Sequence, residues 1–375
     1  MNPISLYIHI PWCIRKCPYC DFNSHQKSEE WPEQRYIKRL IDEAKGQAER
    51  IGNRPIATVF IGGGTPSLFE AESYGMLLEA LKTCFRFDPQ VEITLEANPG
   101  TVEQRRFEGY KQVGINRLSL GIQSFSDEKL KALGRIHSSQ TAIQAIETMY
   151  RTGFEHFNID LMHGLPQQSV EEAVADLQKA LSFKPPHLSW YQLTLEPNTV
   201  FYKFPPPIPS DDTVAEMEEI GFSLLKEAGL EQYEVSAFAK PGFECRHNLN
   251  YWEFGDYLGL GAGAHSKITD HEGTLYRHAN IKRPQSYMEN KNVVVDEKIV
   301  KNSEKLFEFF LNRWRLNKPI PEKECYETIK VGIKELMPYL QCSIDKGLLI
   351  IENDCLLLTE RGKLFRNTLL EAWLP

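Results

Sequence analysis

Short apolar runs recur along the first half of the chain, each closing on Gly, Pro or a polar residue: SLYIHIP (5–11), TVFIGGG (58–64), VEITLEANP (91–99), RLSLGIQSF (117–125), FNIDLMHGLP (157–166) and HLSWYQLTLEP (187–197). Runs of this kind predict strands buried in a parallel sheet. The segments between them have helical spacing. At Ala142, Ile143, Ala145, Ile146 and Met149 one face is apolar, and Gly153 then supplies a stop. Strand and helix alternate through all six units, which predicts an α/β fold. Polar residues cluster after every strand rather than at one reversal of strand order, so a partial (β/α)6 TIM-like barrel is expected over a flat doubly wound sheet. Six units fall short of a closed eight-stranded barrel, and the resulting lateral opening suits a large ligand.

The second half is organised differently. The Pro-rich FPPPIPSDD (204–212) leads through Ser210, a candidate cap, into one further helix. Residues 240–285 are rich in Gly and His with little periodicity and are expected to form a long functional loop region. From about residue 298, helical segments surround a small hairpin, as in a winged-helix-like module. The expected division is a barrel over 1–235, a Gly/His-rich region with a ligand motif over 236–297, and a smaller winged-helix-like domain over 298–375.

Composition narrows the class. The 375 residues are 42% hydrophobic and 25% charged, which excludes fibrous and low-complexity chains. A net charge of -8 argues against a nucleic-acid partner, because such affinity comes from clustered Lys and Arg. The N-terminus shows no signal-peptide pattern, and no apolar stretch reaches the ~18 residues of a membrane span, so a cytoplasmic protein is expected. Of eight cysteines, Cys13, Cys17 and Cys20 fall within eight residues. In a reducing compartment this clustering points to metal binding.

These three form C-x3-C-x2-C directly after the first predicted strand, a spacing suited to an iron–sulfur cluster or to zinc. Zinc would need a fourth ligand, for which His9, Asp21 and His25 stand nearby. A cubane cluster on three cysteines would keep one iron open for a cofactor. The motif resembles the signature of the radical S-adenosylmethionine (SAM) superfamily. YIHIPWC, IGGGTPS, LEANPGT, LGIQSF, LGRIH and NIDLMHGLP follow in order over residues 5–166 and together resemble the oxygen-independent coproporphyrinogen III oxidase family. HNLNYW (247–252) and the CDF that begins at Cys20 resemble its HemW-type haem chaperone branch.

The resemblance implies a radical SAM barrel holding a [4Fe–4S] cluster on Cys13, Cys17 and Cys20, with SAM chelated at the open iron and cleavable to a 5′-deoxyadenosyl radical. It implies that Gly62, Gly63 and Gly64 admit the methionine end of SAM beside Thr65 and Pro66, that Glu96 accepts from the ribose, and that Tyr7 and Tyr19 contact SAM. Gln123, Arg135 and Asp160 match positions for a second SAM or an equivalent ligand. His247 would ligate haem iron, with Tyr251 and Trp252 over the porphyrin; Cys245 and His265 are further candidates. On residue type alone the two tyrosines serve equally as packing aromatics, and His247 as a satisfied loop histidine.

Two departures from the oxidase pattern point away from porphyrinogen decarboxylation. Phe22 stands where the oxidase pattern has a further cysteine, and only four residues precede the first predicted strand where that pattern has an extension. The expected function is a chaperone that binds haem, a cluster and SAM and passes haem to acceptor haemoproteins, respiratory ones among them. The alternatives are an oxygen-independent coproporphyrinogen III oxidase and a zinc-stapled binding protein. A homodimer, a peripheral membrane contact, productive SAM cleavage and covalent haem attachment stay open.

Overall fold

The computed structural model describes residues 3–28, 32–101 and 104–371; the last four residues of the predicted C-terminal domain and the first two of the predicted barrel lie outside them. All six predicted strands form, as Ile4–Ile10, Ile56–Gly63, Phe87–Ala97, Arg117–Gln123, His156–His163 and His187–Gln192, paired in parallel and in sequence order. Together they build the partial barrel.

Strand alternation sorts the side chains. Leu6, Ile8, Val59, Ile61, Ile93, Leu95, Leu118, Leu120, Ile159, Leu161 and Leu188 face outward into one apolar core beneath the flanking helices. The alternate positions, including Glu96, Ser119, Gln123, Asp160, Ser189 and Tyr191, line a cavity inside the barrel. Thus the runs that read as apolar throughout carry a polar inner row. The helices start where short polar residues can cap them: Ser138, Ser169 and Ser210 each accept a backbone N–H of the following first turn, and Ser169 completes a capping box with Glu172.

The region expected to be a long loop instead carries three strands and a short helix. Tyr257–Leu260 pairs in parallel with the first barrel strand, Leu6 opposite Leu258, and His265–Thr269, Leu275–Asn280 and Val294–Ile299 continue antiparallel from it. At the other edge Ala237–Ala239 and Glu231–Glu234 add two short strands, making twelve in one sheet. These strands are three to six residues long, most with interspersed polar positions, as in HSKIT and LYRHAN, so they present no long apolar run to the eye. Buried Glu43, on the helix Glu33–Ile51, fixes the extension by accepting from Gly261 N–H (3.0 Å), Asn280 Nδ2 and the Tyr287 hydroxyl. Burial pushes its carboxyl up to about 7.

Past residue 300 the helices Asn302–Arg313, Glu322–Ile329 and Ile333–Asp345 surround the three-stranded antiparallel sheet of Ile320–Pro321, Leu349–Glu352 and Cys355–Leu358, the winged-helix arrangement expected. This part has its own apolar core, which includes Phe309, Phe310, Trp314, Leu336 and Leu356; Leu275 from the extended sheet and Phe254 from the turn before it insert into that core. Among the described residues no helix is long and apolar enough to cross a membrane.

Candidate functional site

The cysteine loop leaves the first strand and is closed by a short parallel pairing of Trp12–Cys13 with His25–Gln26. The GGGT segment clamps its start. Gly64 N–H donates to the Ile10 carbonyl and Thr65 N–H to the Trp12 carbonyl, each at 2.7 Å. A Cβ on Gly64 would lie 2.5 Å from the Trp12 carbonyl oxygen, and one on Gly63, at φ +114°, would lie 2.5 Å from the His9 ring. These glycines are therefore required by the backbone of the cysteine loop and by His9 before any ligand arrives. His9 donates through Nε2–H to the Asn23 carbonyl (2.9 Å), which leaves Nδ1 to accept from the Tyr7 hydroxyl (2.9 Å). Asn23 Nδ2 in turn donates to the carbonyls of Ala262 and Lys282, tying the loop to the extended sheet.

Cys13, Cys17 and Cys20 line a cavity of about 410 Å³ together with Tyr19, Gly63, Gly64, Thr65, Glu96, Gln123, Arg135 and Asp160. Arg135 donates to Cys17 Sγ (3.8 Å), to Asn98 Oδ1 (2.6 Å) and to the Gly121 carbonyl (2.8 Å), and Asn98 Nδ2 reaches Thr65 Oγ1 (3.0 Å). A guanidinium is thus held against the thiol set, a charge that favours thiolate donors. Burial pushes the thiols of Cys13 and Cys20 up, so a free thiolate is disfavoured there until a metal takes it. Among the described residues no three His, Cys, Asp or Glu side chains converge to hold a single metal ion. A cuboidal cluster asks for separated donors, one thiolate per iron, and three thiols around one cavity beside a fixed cation fit that demand.

Glu96 Oε2 accepts Gly63 N–H (3.0 Å), and burial, with the charge of Asp160 adding to it, pushes the Glu96 carboxyl up to about 8. Asp160 accepts from Ser119 Oγ (2.9 Å) and Asn158 Nδ2 (2.7 Å); burial raises its pKa against those bonds. Gln123 sits at φ +70° and accepts the Tyr191 hydroxyl (2.6 Å). Tyr19 packs on Phe201, ring centroids 6.4 Å apart, so it is both a packing aromatic and part of the cavity wall. Tyr7 lies on an adjoining cavity of about 940 Å³ that shares Gly63, Glu96 and Asp160 with the first. Its hydroxyl, bonded to His9, stabilises the loop as well as facing this space.

His247 sits behind the cavity walls, its ring 6.5 Å from that of Tyr7. It lies on the helix Arg246–Trp252, is 1% exposed and lines neither cavity. Thr58 Oγ1 donates to Ser5 Oγ (2.8 Å), so His247 Nδ1–H donates to Thr58 Oγ1 (2.7 Å), and Nε2 accepts the Tyr251 hydroxyl (2.9 Å). Burial lowers its pKa to about 3. The imidazole is neutral with both nitrogens engaged, and an iron bond at Nε2 requires the Tyr251 hydroxyl to leave first. Tyr251 does face the adjoining cavity, and Trp252 lines both. Cys245 is buried, its thiol pushed up to about 12, while exposed His265 borders the adjoining cavity.

Sequence reasoning missed Asn98, Ser119, Ser189 and Tyr191. The polar inner row of each strand, at i and i+2, is the signal that finds the last three. It also missed Glu234, Ser236 and Arg315, which line the same cavity as the cysteines and belong to segments that no motif connects.

Comparison with known proteins bears on the family and the fold. Residues 7–179 match the radical SAM superfamily model and residues 300–365 the HemN C-terminal domain model. The haem chaperone HemW of Haemophilus influenzae is 48% identical over 378 residues, covering 100% of this chain and 98% of the relative. That of Escherichia coli is 47% identical over 374 residues, covering 100% and 99%. The structure of the E. coli coproporphyrinogen III oxidase HemN, a radical SAM enzyme, superposes with a TM-score of 0.84 at 22% identity, covering 99% of this chain and 90% of that one, a likeness of fold.

Proposed function

The chain belongs to the HemW family of haem chaperones, and on that premise we propose that it binds haem in its barrel and passes it to acceptor haemoproteins, in a form that also carries a [4Fe–4S] cluster and SAM. The observation that carries this reading is the single cavity whose wall includes the three cysteines and Trp252 of the HNLNYW helix. Cofactor and cargo would share one enclosure.

Cys13, Cys17 and Cys20 are the residues to hold the cluster. When bound, it supplies an electron and an open iron to chelate the amino and carboxylate groups of SAM. The chain's own residues orient and enclose. Arg135 compensates charge at the thiol set and, through Asn98 and Thr65, fixes the turn above it. Glu96 keeps Oε1 for a ribose hydroxyl while Gly63 N–H holds Oε2. With its pKa near 8 the carboxyl is largely protonated at neutral pH and can donate as well as accept. Tyr7 and Tyr19 wall the SAM region, and Gln123 and Asp160 face the space available to a second ligand. For haem, Tyr251 and Trp252 offer aromatic surface, and His247 serves by holding the Tyr251 hydroxyl from behind. The reading places the protein in the cytoplasm, with respiratory haemoproteins among its acceptors.

The test is anaerobic reconstitution with iron, sulfide, SAM and reductant, then parallel incubation with haem and with coproporphyrinogen III. Stoichiometric haem without decarboxylated product is expected. Multiple-turnover decarboxylation would overturn the chaperone reading in favour of the oxidase.

A further inference from the structure

Arg315 follows the helix Asn302–Arg313 of the C-terminal module, yet it lines the barrel cavity at the end where Trp252 stands. Its guanidinium lies over the Trp252 indole, Cζ 4.3 Å from the ring centroid. Nη2 is 3.4 Å from Glu234 Oε2, while Glu234 Oε1 is taken by the backbone N–H and hydroxyl of Ser236. Two donors remain. Arg315 Nε and Trp252 Nε1 are both buried and both lack a hydrogen-bond partner. A buried donor left unpaired costs roughly 1–3 kcal/mol, so two on one stacked pair beside a cavity mark a place where an acceptor belongs.

The local charge has the matching sign. Arg366 lies close enough to Arg315 for the two cations to repel, and burial together with that repulsion lowers the Arg366 pKa to about 10. Arg366 spends its own donors on the Trp314 carbonyl, the Lys363 carbonyl and Asn317 Oδ1. Two guanidinium charges therefore face one buried carboxylate, Glu234, with a weaker contribution from Glu360. A planar aromatic surface carrying a fixed cation and free N–H groups suits a ligand that is itself planar and edged with carboxylates.

Resting on the haem reading above, we infer that Arg315, stacked on Trp252, is a specificity residue that receives a propionate carboxylate of the haem cargo. The C-terminal module is then part of the cargo site and supplies its charge recognition. The rival role for Arg315 is a tie that holds the module to the edge strand through Glu234.

Haem and haem dimethyl ester, which has the same ring but no carboxylate charge, separate the two roles when titrated into the full-length protein and followed by absorption in the Soret region. The wild type is expected to prefer haem, and Arg315→Gln to weaken haem binding about tenfold while leaving the ester unchanged. Arg315→Lys keeps the charge but not the planar stack and should fall between. Glu234→Gln breaks the same salt bridge yet frees the guanidinium, so it should widen the preference for haem. Equal losses of both ligands in Arg315→Gln and Glu234→Gln, or a wild type indifferent to esterification, would overturn the inference and leave only the structural tie. A wild type that binds neither ligand stoichiometrically would instead bring down the haem reading on which the inference rests.

Discussion

Replacing His247 by Ala tests whether this histidine is a buried structural group or a free ligand. The substitution deletes hydrogen bonds to Thr58 and Tyr251 and a ring that packs 5.1 Å from Phe60 and 4.8 Å from Tyr251. Two lost bonds at about 1 kcal/mol each and a ring-sized cavity at about 2 kcal/mol predict a loss near 4 kcal/mol at pH 7.5. Lower pH should narrow the gap. The folded-state pKa of about 3 lies below the ordinary 6.5, so the wild type holds this stabilisation above pH 6.5 and loses it as pH falls toward 3. At pH 5 the unfolded ring is protonated and the folded one is not, which costs the wild type about 2 kcal/mol, or 1.36 kcal/mol per unit over about 1.5 units. The variant has no such group, and all other titrations cancel in the difference. Urea unfolding of both proteins at pH 7.5 and 5.0, without haem or SAM, should show a gap of about 4 kcal/mol shrinking to about 2. A gap that is constant or wider at pH 5 would refute the buried, neutral assignment.

On haem, His247→Ala should weaken binding several-fold by releasing Tyr251 yet leave the iron's axial-ligand signature in electron paramagnetic resonance unchanged; a lost histidine signature would make His247 the ligand. Cys17→Ala should abolish the cluster, since Ser24 and His25 cannot readily replace the thiolate; intact iron and sulfide content with the brown cubane absorption would sink the cluster assignment. Gly64→Ala drives a Cβ to within 2.5 Å of the Trp12 carbonyl oxygen and pries at two backbone hydrogen bonds, so it should cost about 2–3 kcal/mol in urea unfolding and lower cluster occupancy. Full stability together with full occupancy would show that the GGGT clamp is not what aims Cys13.

The barrel was legible because its strands carry long apolar runs and its helices begin on Ser residues that cap them. The motif order along the strand ends likewise located the cysteines, Thr65, Glu96, Gln123, Arg135 and Asp160 around one cavity. Three things were not legible, each for a physical reason. The strands of 257–299 are short and two-sided, and what recruits them to the sheet is a distant buried carboxylate, Glu43, which no local pattern announces. The glycines of GGGT looked like room for a ligand, but the places of side chains on Gly63 and Gly64 are filled by His9 and Trp12, neighbours only in three dimensions. His247 looked like a ligand because its motif is distinctive. Its partners Thr58, on a distant strand, and Tyr251 engage both ring nitrogens, which the motif does not announce.

The polar inner row is shared between the two adjoining cavities. Glu96 and Asp160 belong to both cavities; burial raises the pKa of each, and each is fixed by neighbours, Gly63 for the first and Ser119 and Asn158 for the second. The Glu96 carboxyl, pushed up to about 8, can hydrogen-bond as donor or acceptor without drawing in a counter-ion. The fixed charges stand at the ends instead, Arg135 against the thiols and Arg315 against Trp252. Because the two guanidinium groups are held by separate partners, Asn98 and Gly121 for one and Glu234 for the other, the cluster end and the cargo end can be altered independently. Arg315→Gln should therefore leave cluster content and SAM affinity at wild-type values while haem affinity falls, and a parallel loss of SAM binding would show that the two ends are not independent.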